Sequence, residues 1–419
     1  MSLSTSPRSA RPGQESMFPA SPAPGASQEE IRRQNLGAVL RHVHLHGPTS
    51  RAELTSRLGL NRSTIGALAA ELTAADLVVE HAPTESRRAG RPSLVLSSHS
   101  DRIQALALSV ETHRLRAARF GLGGRLLGLR EVGRPAARPV SATITALADL
   151  VHDLEREDDA DALLVGGAIA VDDSRPEEGR RPRAEDDVTA WRAALPAGLA
   201  DPAVVVGDPA ALGALAERVR GAATGLDDFI YLHGDAGVSA GLMIGGRLMT
   251  GHRGHSGKVG HMVVDPQGRP CRCGSRGCWE TEIDDRALLR HAGRQTDCPQ
   301  AATDVLRAAA AGEPAAAGAV ERVADWLGFG VSNLVNVISP EAVVFGGSLR
   351  ELYAVAQASV HRRLDVMVPP TLRRRTRLLP AALGRDAALI GTAELAFERL
   401  LADPLTVATQ SRAHAPGRS

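Results

Sequence analysis

Lysine is almost missing from this chain: Lys258 is the only one, and every other strong base is arginine. Aromatic residues reach just 3%, so a core has to be assembled from alanine, leucine and valine. Neither sign of charge dominates. The formal net charge is +1, which supplies no global field to steer the chain to nucleic acid or to a membrane, and any such patch must be local. No run of eighteen apolar residues occurs, and the first thirty residues are rich in Ser, Pro and Ala without an apolar core segment. A membrane span and a secretory leader are both unexpected, and a soluble cytoplasmic protein is the expectation. Cysteine is scarce at four, and without a secretory signal a disulfide framework is disfavoured. The length of 419 residues exceeds one ordinary domain and implies two or three folding units.

Three of those four cysteines are crowded together. Between His261 and Glu280 the chain reads H-M-V-V-D-P-Q-G-R-P-C-R-C-G-S-R-G-C-W-E, with Cys271, Cys273 and Cys278 inside eight residues and His261 ten residues ahead of the first. One imidazole and three thiols match the ligand number and softness of a closed tetrahedral Zn²⁺ site. Gly274 and Gly277 let a short loop fold back so that the sulfurs converge. Four protein ligands leave no open position for a catalytic water, so the expected zinc is structural. The competing readings are chance clustering or a disulfide.

Taken in order, residues 1–27 hold almost nothing to bury and are expected to be a disordered tail. Residues 28–97 change character. Ile31, Leu36, Val39, Leu40 and Val43 recur at helical spacing up to Gly47-Pro48. Ser50 with Glu53 offers a capping box for a short second helix that ends at Gly59. Asn61 caps a third helix, Arg62 to about Ala74, with Ile65, Leu68 and Leu72 on one face. Two apolar stretches, Leu77–Glu80 and Leu94–Leu96, then flank the basic segment Arg87-Arg88-Ala89-Gly90-Arg91-Pro92. This is the pattern of a winged helix-turn-helix. Its expected partner is a double-stranded DNA operator, with Arg51, Asn61, Arg62, Ser63 and Thr64 near the major groove and Arg87, Arg88 and Arg91 on the wing. Nine arginines against seven acids between Glu29 and Arg91 decide this weakly; the rival is a protein-interaction module.

The motif G-H-M-V-V-D-P followed by C-x-C-G-x-x-G-C-W-E resembles the signature of the ROK family, which comprises repressors, uncharacterised reading frames and sugar kinases. The resemblance runs loosely from about residue 30 to about residue 405 and implies an α/β, two-lobed actin/hexokinase-like ATPase fold behind the winged helix. It implies a ROK domain at 101–405, with lobe one at about 101–220 plus a C-terminal helix at about 384–405. Lobe two follows at about 221–383, with the zinc motif 261–278, and 406–419 is a frayed tail. The winged helix in front resembles the repressor branch, whose wing Gly90-Arg91-Pro92 matches.

Several positions depart from what the family's kinases carry. The first phosphate loop, Asp-x-Gly-Gly-Thr there, corresponds to Ser109-Val110-Glu111-Thr112-His113, without the glycines that let backbone amides approach a phosphate. Asp235 and Ser239 alter the second phosphate loop. Where the kinases hold an Asn-Asp pair, ungapped alignment sets Asp208 on the Asn and Pro209 on the base, and proline accepts no proton; a one-residue shift would restore Asp208 as the base. Lys258 occupies the place of a sugar-binding glutamate, whereas His261 and Glu280 match the remaining sugar contacts. The expected ligand set is thus Asp208, Lys258, His261 and Glu280. The expected effector is a sugar, sugar phosphate or sugar acid, unless Lys258 arose by drift. The expectation is a homodimeric or homotetrameric sugar-gene regulator without kinase activity; its rivals are an active sugar kinase with an added DNA-binding domain and a ligand-independent repressor.

Overall fold

The computed structural model describes residues 27–82, 93–111, 114–134, 140–156, 161–171, 188–196, 199, 203–206, 209–234, 237–252, 256–294 and 300–414. Its first helix, α1 (Gln28–His46), starts from a reciprocal cap: the Ser27 hydroxyl accepts from the Glu30 amide, and the Glu30 carboxylate accepts from the Ser27 amide. Then follow β1 (Thr49–Ser50), α2 (Arg51–Leu58), α3 (Arg62–Ala74), β2 (Val78–His81) and β3 (Val95–Ser98). Gly59 ends α2 with a left-handed φ of 67°, and Asn61 caps α3. The wing sheet has the order β1-β3-β2. Two strands were expected; the third, β1, is two residues pairing with Val95 and Leu96, too short for alternation to reveal. Residues 83–92, with Arg87, Arg88 and Arg91, lie outside the described residues.

Two sheets follow, and they repeat one scheme. The first is built from β4 (Ile103–Val110), β5 (Arg114–Gly121), β6 (Arg125–Gly133), β7 (Leu163–Val171) and β8 (Ala203–Val206), ordered β6-β5-β4-β7-β8. Around it lie α4 (Val140–Glu155) and α5 (Val188–Arg192), while α6 (Pro209–Arg220) packs on the second sheet. The second holds β9 (Phe229–Gly234), β10 (Val238–Ile244), β11 (Arg247–Leu248), β12 (Ala342–Gly347) and β13 (Arg377–Pro380), ordered β11-β10-β9-β12-β13. In each, an antiparallel meander leads into two parallel strands. This duplication is that of the two-lobed actin-like fold. Helices α7 (Glu280–Ile283), α8 (Asp285–His291), α9 (Gln300–Ala310), α10 (Pro314–Ile338), α11 (Ser348–Met367) and α12 (Pro370–Arg373) belong to the second lobe, and α13 (Ala387–Ala402) returns to the first. Every residue of β4 is buried, as a central strand covered on both faces requires. Among the described residues, no helix is long and apolar enough to cross a membrane.

The end of the chain departs from expectation. Where a frayed tail was expected from 406, a helix α14 (Pro404–His414) buries Val407 and Ala408. Pro404 suits a first helical position, and the apolar residues, too few to form a visible period, find a prepared surface on α1 and α13. That surface belongs to one continuous core. Leu40 and Val43 of α1, Leu68 of α3, Ala105 of β4, Phe397 of α13 and Val407 of α14 form a single buried cluster, so the winged helix is fused to lobe one.

Candidate functional site

On α3 the exposed N-terminal turn presents Arg62 and Ser63 to solvent, with Thr64 half-buried. Asn61 is engaged in folding: its Oδ1 accepts from the Thr64 amide at 2.8 Å and from the Ser63 hydroxyl at 2.7 Å. Arg51, first residue of α2, donates two hydrogen bonds of 2.5 Å to Glu80 on β2. It holds the frame behind α3 in place. Of the five predicted contacts on these helices, Arg62 is the exposed cation at the helix start.

The metal motif lies on a loop that glycine makes possible. Isolated bridges pair Val263 with Cys278 and Pro270 with Arg276. Gly277 has a φ of 67°, and a Cβ there would sit 1.5 Å from the Asp265 carbonyl oxygen. The loop thereby gathers one donor atom from each of His261, Cys271, Cys273 and Cys278 within 4.8 Å of one another. Cys273 Sγ is 3.6 Å from Cys278 Sγ, and Cys271 Sγ is 3.8 Å from His261 Nδ1. A tetrahedron with metal–sulfur bonds of about 2.3 Å has edges of about 3.8 Å, so the set matches a soft dication. Burial pushes the Cys271 and Cys278 thiols up, while the backbone hydrogen bond from Ser275 draws Cys273 down. A bound cation would offset that burial by favouring thiolates.

Glu280 adjoins the metal set. It is buried at the start of α7, its Oε1 3.0 Å from Cys271 Sγ and 3.5 Å from His261 Nδ1. A Cβ on Gly237 or Gly260 would lie 3.1 or 3.2 Å from its other oxygen, so two glycines keep that oxygen's surroundings clear. Lys258 is exposed and caps the single 3-10 turn Val259–His261; the His261 amide donates to the Lys258 carbonyl at 3.1 Å. The structure thus sets Glu280 beside His261, with Lys258 three residues before His261 in the chain. Asp208 and Asp235 lie outside the described residues. Pro209 is the first residue of α6, where its fixed φ and missing N–H suit a helix start.

Where the first phosphate loop was expected, Glu111 follows β4 among cations. Arg114 Nε donates to it at 2.5 Å, and Arg116 Nη1 lies 3.6 Å away. Arg116 is buried and also reaches Asp386 at 2.5 Å. Glu111 is legible in the sequence, but Asp386, the other carboxylate on Arg116, is 270 residues away and is not.

A family model described as "ROK family" matches residues 106–399. The chain belongs to the ROK family. A xylose repressor of Bacillus spizizenii is 26% identical over 381 residues, which cover 90% of this ROK protein and 98% of the repressor. A glucokinase of Streptomyces coelicolor is 30% identical over 213 residues, 46% of this chain and 67% of the kinase. The crystal structure of a ROK family transcriptional regulator, a homologue of the E. coli Mlc protein, superposes with a TM-score of 0.71 at 23% identity, over 91% of this chain and 99% of that one. The similarity to these two regulators therefore covers 90% and 91% of the chain, whereas the sequence similarity to that glucokinase covers 46%.

Proposed function

We propose that this ROK protein is a transcriptional repressor of sugar-related genes. A winged helix at 28–97 binds a two-fold DNA site, and a zinc-stapled ROK body at 101–405 senses a small ligand without phosphorylating it. The observation that carries this reading is the exposed Arg62 turn of α3 on a winged helix that shares a core with lobe one of the ROK body, an arrangement supported by similarity to a xylose repressor over 90% of the chain. Dimerisation or tetramerisation would present two α3 helices to successive major grooves, and the protein would act in the cytoplasm. Arg62, with Ser63 and Thr64, would read base edges, and Arg87, Arg88 and Arg91 would hold phosphates.

His261, Cys271, Cys273 and Cys278 would hold Zn²⁺, which supplies folding free energy to the loop that carries His261 and Glu280. With Nδ1 turned to the metal, His261 would offer Nε2 to a ligand beside Glu280 and Asp208. Lys258 places a cation at that ligand, which favours a sugar acid or sugar phosphate over a plain hexose. Glu111 among its arginines and Pro209 at the head of α6 speak against phosphoryl transfer. The glucokinase similarity favours the alternative of an active sugar kinase with an added DNA-binding unit. Selection of bound duplexes from a random pool, with and without hexoses, hexose 6-phosphates and aldonic acids, tests the repressor reading. Recovery of no enriched sequence would overturn it.

A further inference from the structure

Two crossings join the lobes, 221–228 leading out of α6, which packs on both α13 and the second sheet, and 381–386 leading from β13 to α13, and both meet at one side chain. Glu217, fully buried in the last turns of α6, accepts from the Ala222 amide at 2.7 Å in the first crossing. In the second it accepts from Ala382 at 3.1 Å and Leu383 at 2.9 Å. A carboxylate with three backbone donors on two strands of a hinge responds to any change in the angle between them.

Three residues further along the same helix stands Arg220, whose partners lie in lobe one and α1. Its Nε donates to Glu394 of α13 at 2.6 Å, and its Nη1 donates to the Gly123 carbonyl at 3.0 Å. A Cβ on Gly124 would lie 2.2 Å from its guanidinium carbon, so the β5–β6 turn leaves a notch for it. The other Glu394 oxygen accepts from His44 Nε2 at 2.8 Å, and His44 Nδ1 accepts from the Gly123 amide at 2.9 Å. His44 is buried in the last turn of α1, the helix on which the winged helix is built. Arg41, one turn earlier, donates to Glu398 at 2.6 and 3.0 Å.

We infer that the last turn of α6 is the joint that couples the interlobe hinge to the DNA-binding helices, with Glu217 reading the hinge and Arg220–Glu394–His44 passing its state to α1. Apart from Arg41–Glu398, the surrounding contact between winged helix and lobe one is mainly apolar, and apolar surfaces slide at little cost. A buried Arg–Glu ion pair closed by a hydrogen-bonded imidazole adds little stability over an apolar replacement but holds one register and breaks as a unit. Placing it at this seam makes the seam two-state. The inference rests on the repressor reading for its purpose and on the hydrogen bonds above for its existence.

Hydrogen exchange of the full-length protein separates the two. Glu217→Gln keeps the shape and weakens the clamp. It is expected to speed exchange about tenfold in peptides covering 221–228 and 381–386, and also in the last turn of α1, 40–47. In a background of Arg220→Met with Glu394→Gln, which removes the joint without stranding a charge, Glu217→Gln should speed exchange at the two crossings alone. Arg220→Lys, which keeps the charge and loses the fork, serves if the double variant does not fold, and should weaken the transfer to 40–47. An unchanged 40–47 in the Glu217→Gln protein, or equal transfer with the joint removed or weakened, overturns the inference. Failure to select any DNA duplex would sink the repressor reading and leave the exchange result standing.

Discussion

Single residues carry the most legible part of this protein. Three cysteines in eight positions can be read without a structure because their spacing is local, and the four donor atoms do converge. Cys273→Ser should release about one zinc per chain and lower the melting temperature, since thiolate ligation is folding free energy; freshly purified protein that contains no zinc would refute the metal's identity. On the DNA face, Arg62→Ala should cost about 1–3 kcal/mol and relax sequence preference if its guanidinium grips a guanine. Arg88→Ala should weaken all duplexes alike and flatten the salt dependence. Titrations against selected and scrambled duplexes at two salt concentrations distinguish these outcomes.

Glu394 was not legible, because its partners His44 and Arg220 are 350 and 174 residues away. Burial alone would raise its carboxyl, but His44 and Arg220 more than reverse this and hold it at about 2, against an ordinary 4.5. The folded value lies below the unfolded one, so the ionised carboxylate contributes stability that is complete above about pH 4.5 and is lost as pH falls towards 2. Glu394→Gln should therefore be less stable at neutral pH and show a shallower loss than the wild type between those limits. Melts of both proteins at pH 7, 4.5 and 3 check this. Parallel curves would remove the carboxylate from acid sensitivity; the metal site, common to both proteins, cancels in the comparison.

At the scale of elements, the sequence betrays helices whose caps and apolar faces are both strong. Ser50 and Asn61 each cap the helix that their side-chain chemistry predicts, whereas Ser27, expected in the tail, caps α1. It hides elements that exist through tertiary contact. β1 is two residues long, and α14 has little amphipathic pattern of its own. Yet α14 reaches α3: the Arg412 guanidinium donates to the Ala75 carbonyl just past that helix at 2.5 Å and pairs with Asp76 at 3.3 Å. Val407→Ala should destabilise the protein by roughly 1.5–2.5 kcal/mol, from two lost methyl groups and the cavity they leave. Arg412→Ala, at an exposed pair, should cost less than about 1 kcal/mol. Urea unfolding measures both, and a larger loss from Arg412 than from Val407 would show that α14 acts through its ion pair rather than its apolar contact.

For the whole molecule, periodicity and the family motif fixed the order of units but not their fusion. A boundary near residue 100 looks like a linker in one dimension. In three, Leu40, Ala105, Phe397 and Val407 share one core, because the C-terminal helices fold back over the N-terminal ones. The chemistry of the ROK body follows from the same comparison of local with distant. Phosphoryl transfer to a hydroxyl relies on held phosphates and a positioned base. Here the first loop carries Glu111 with Arg114 and Arg116 around it, and α6 opens on Pro209. Losing a general base alone costs a factor of about 10²–10⁴, before any penalty from weak ATP binding. We therefore expect no steady ATP turnover with any hexose, and ligand binding that depends on Lys258. Calorimetry with hexoses, their 6-phosphates and aldonic acids, run beside a coupled ATPase assay, decides both points. Turnover on any hexose would restore the kinase, and hexose binding unchanged in Lys258→Ala would take that lysine out of the ligand site.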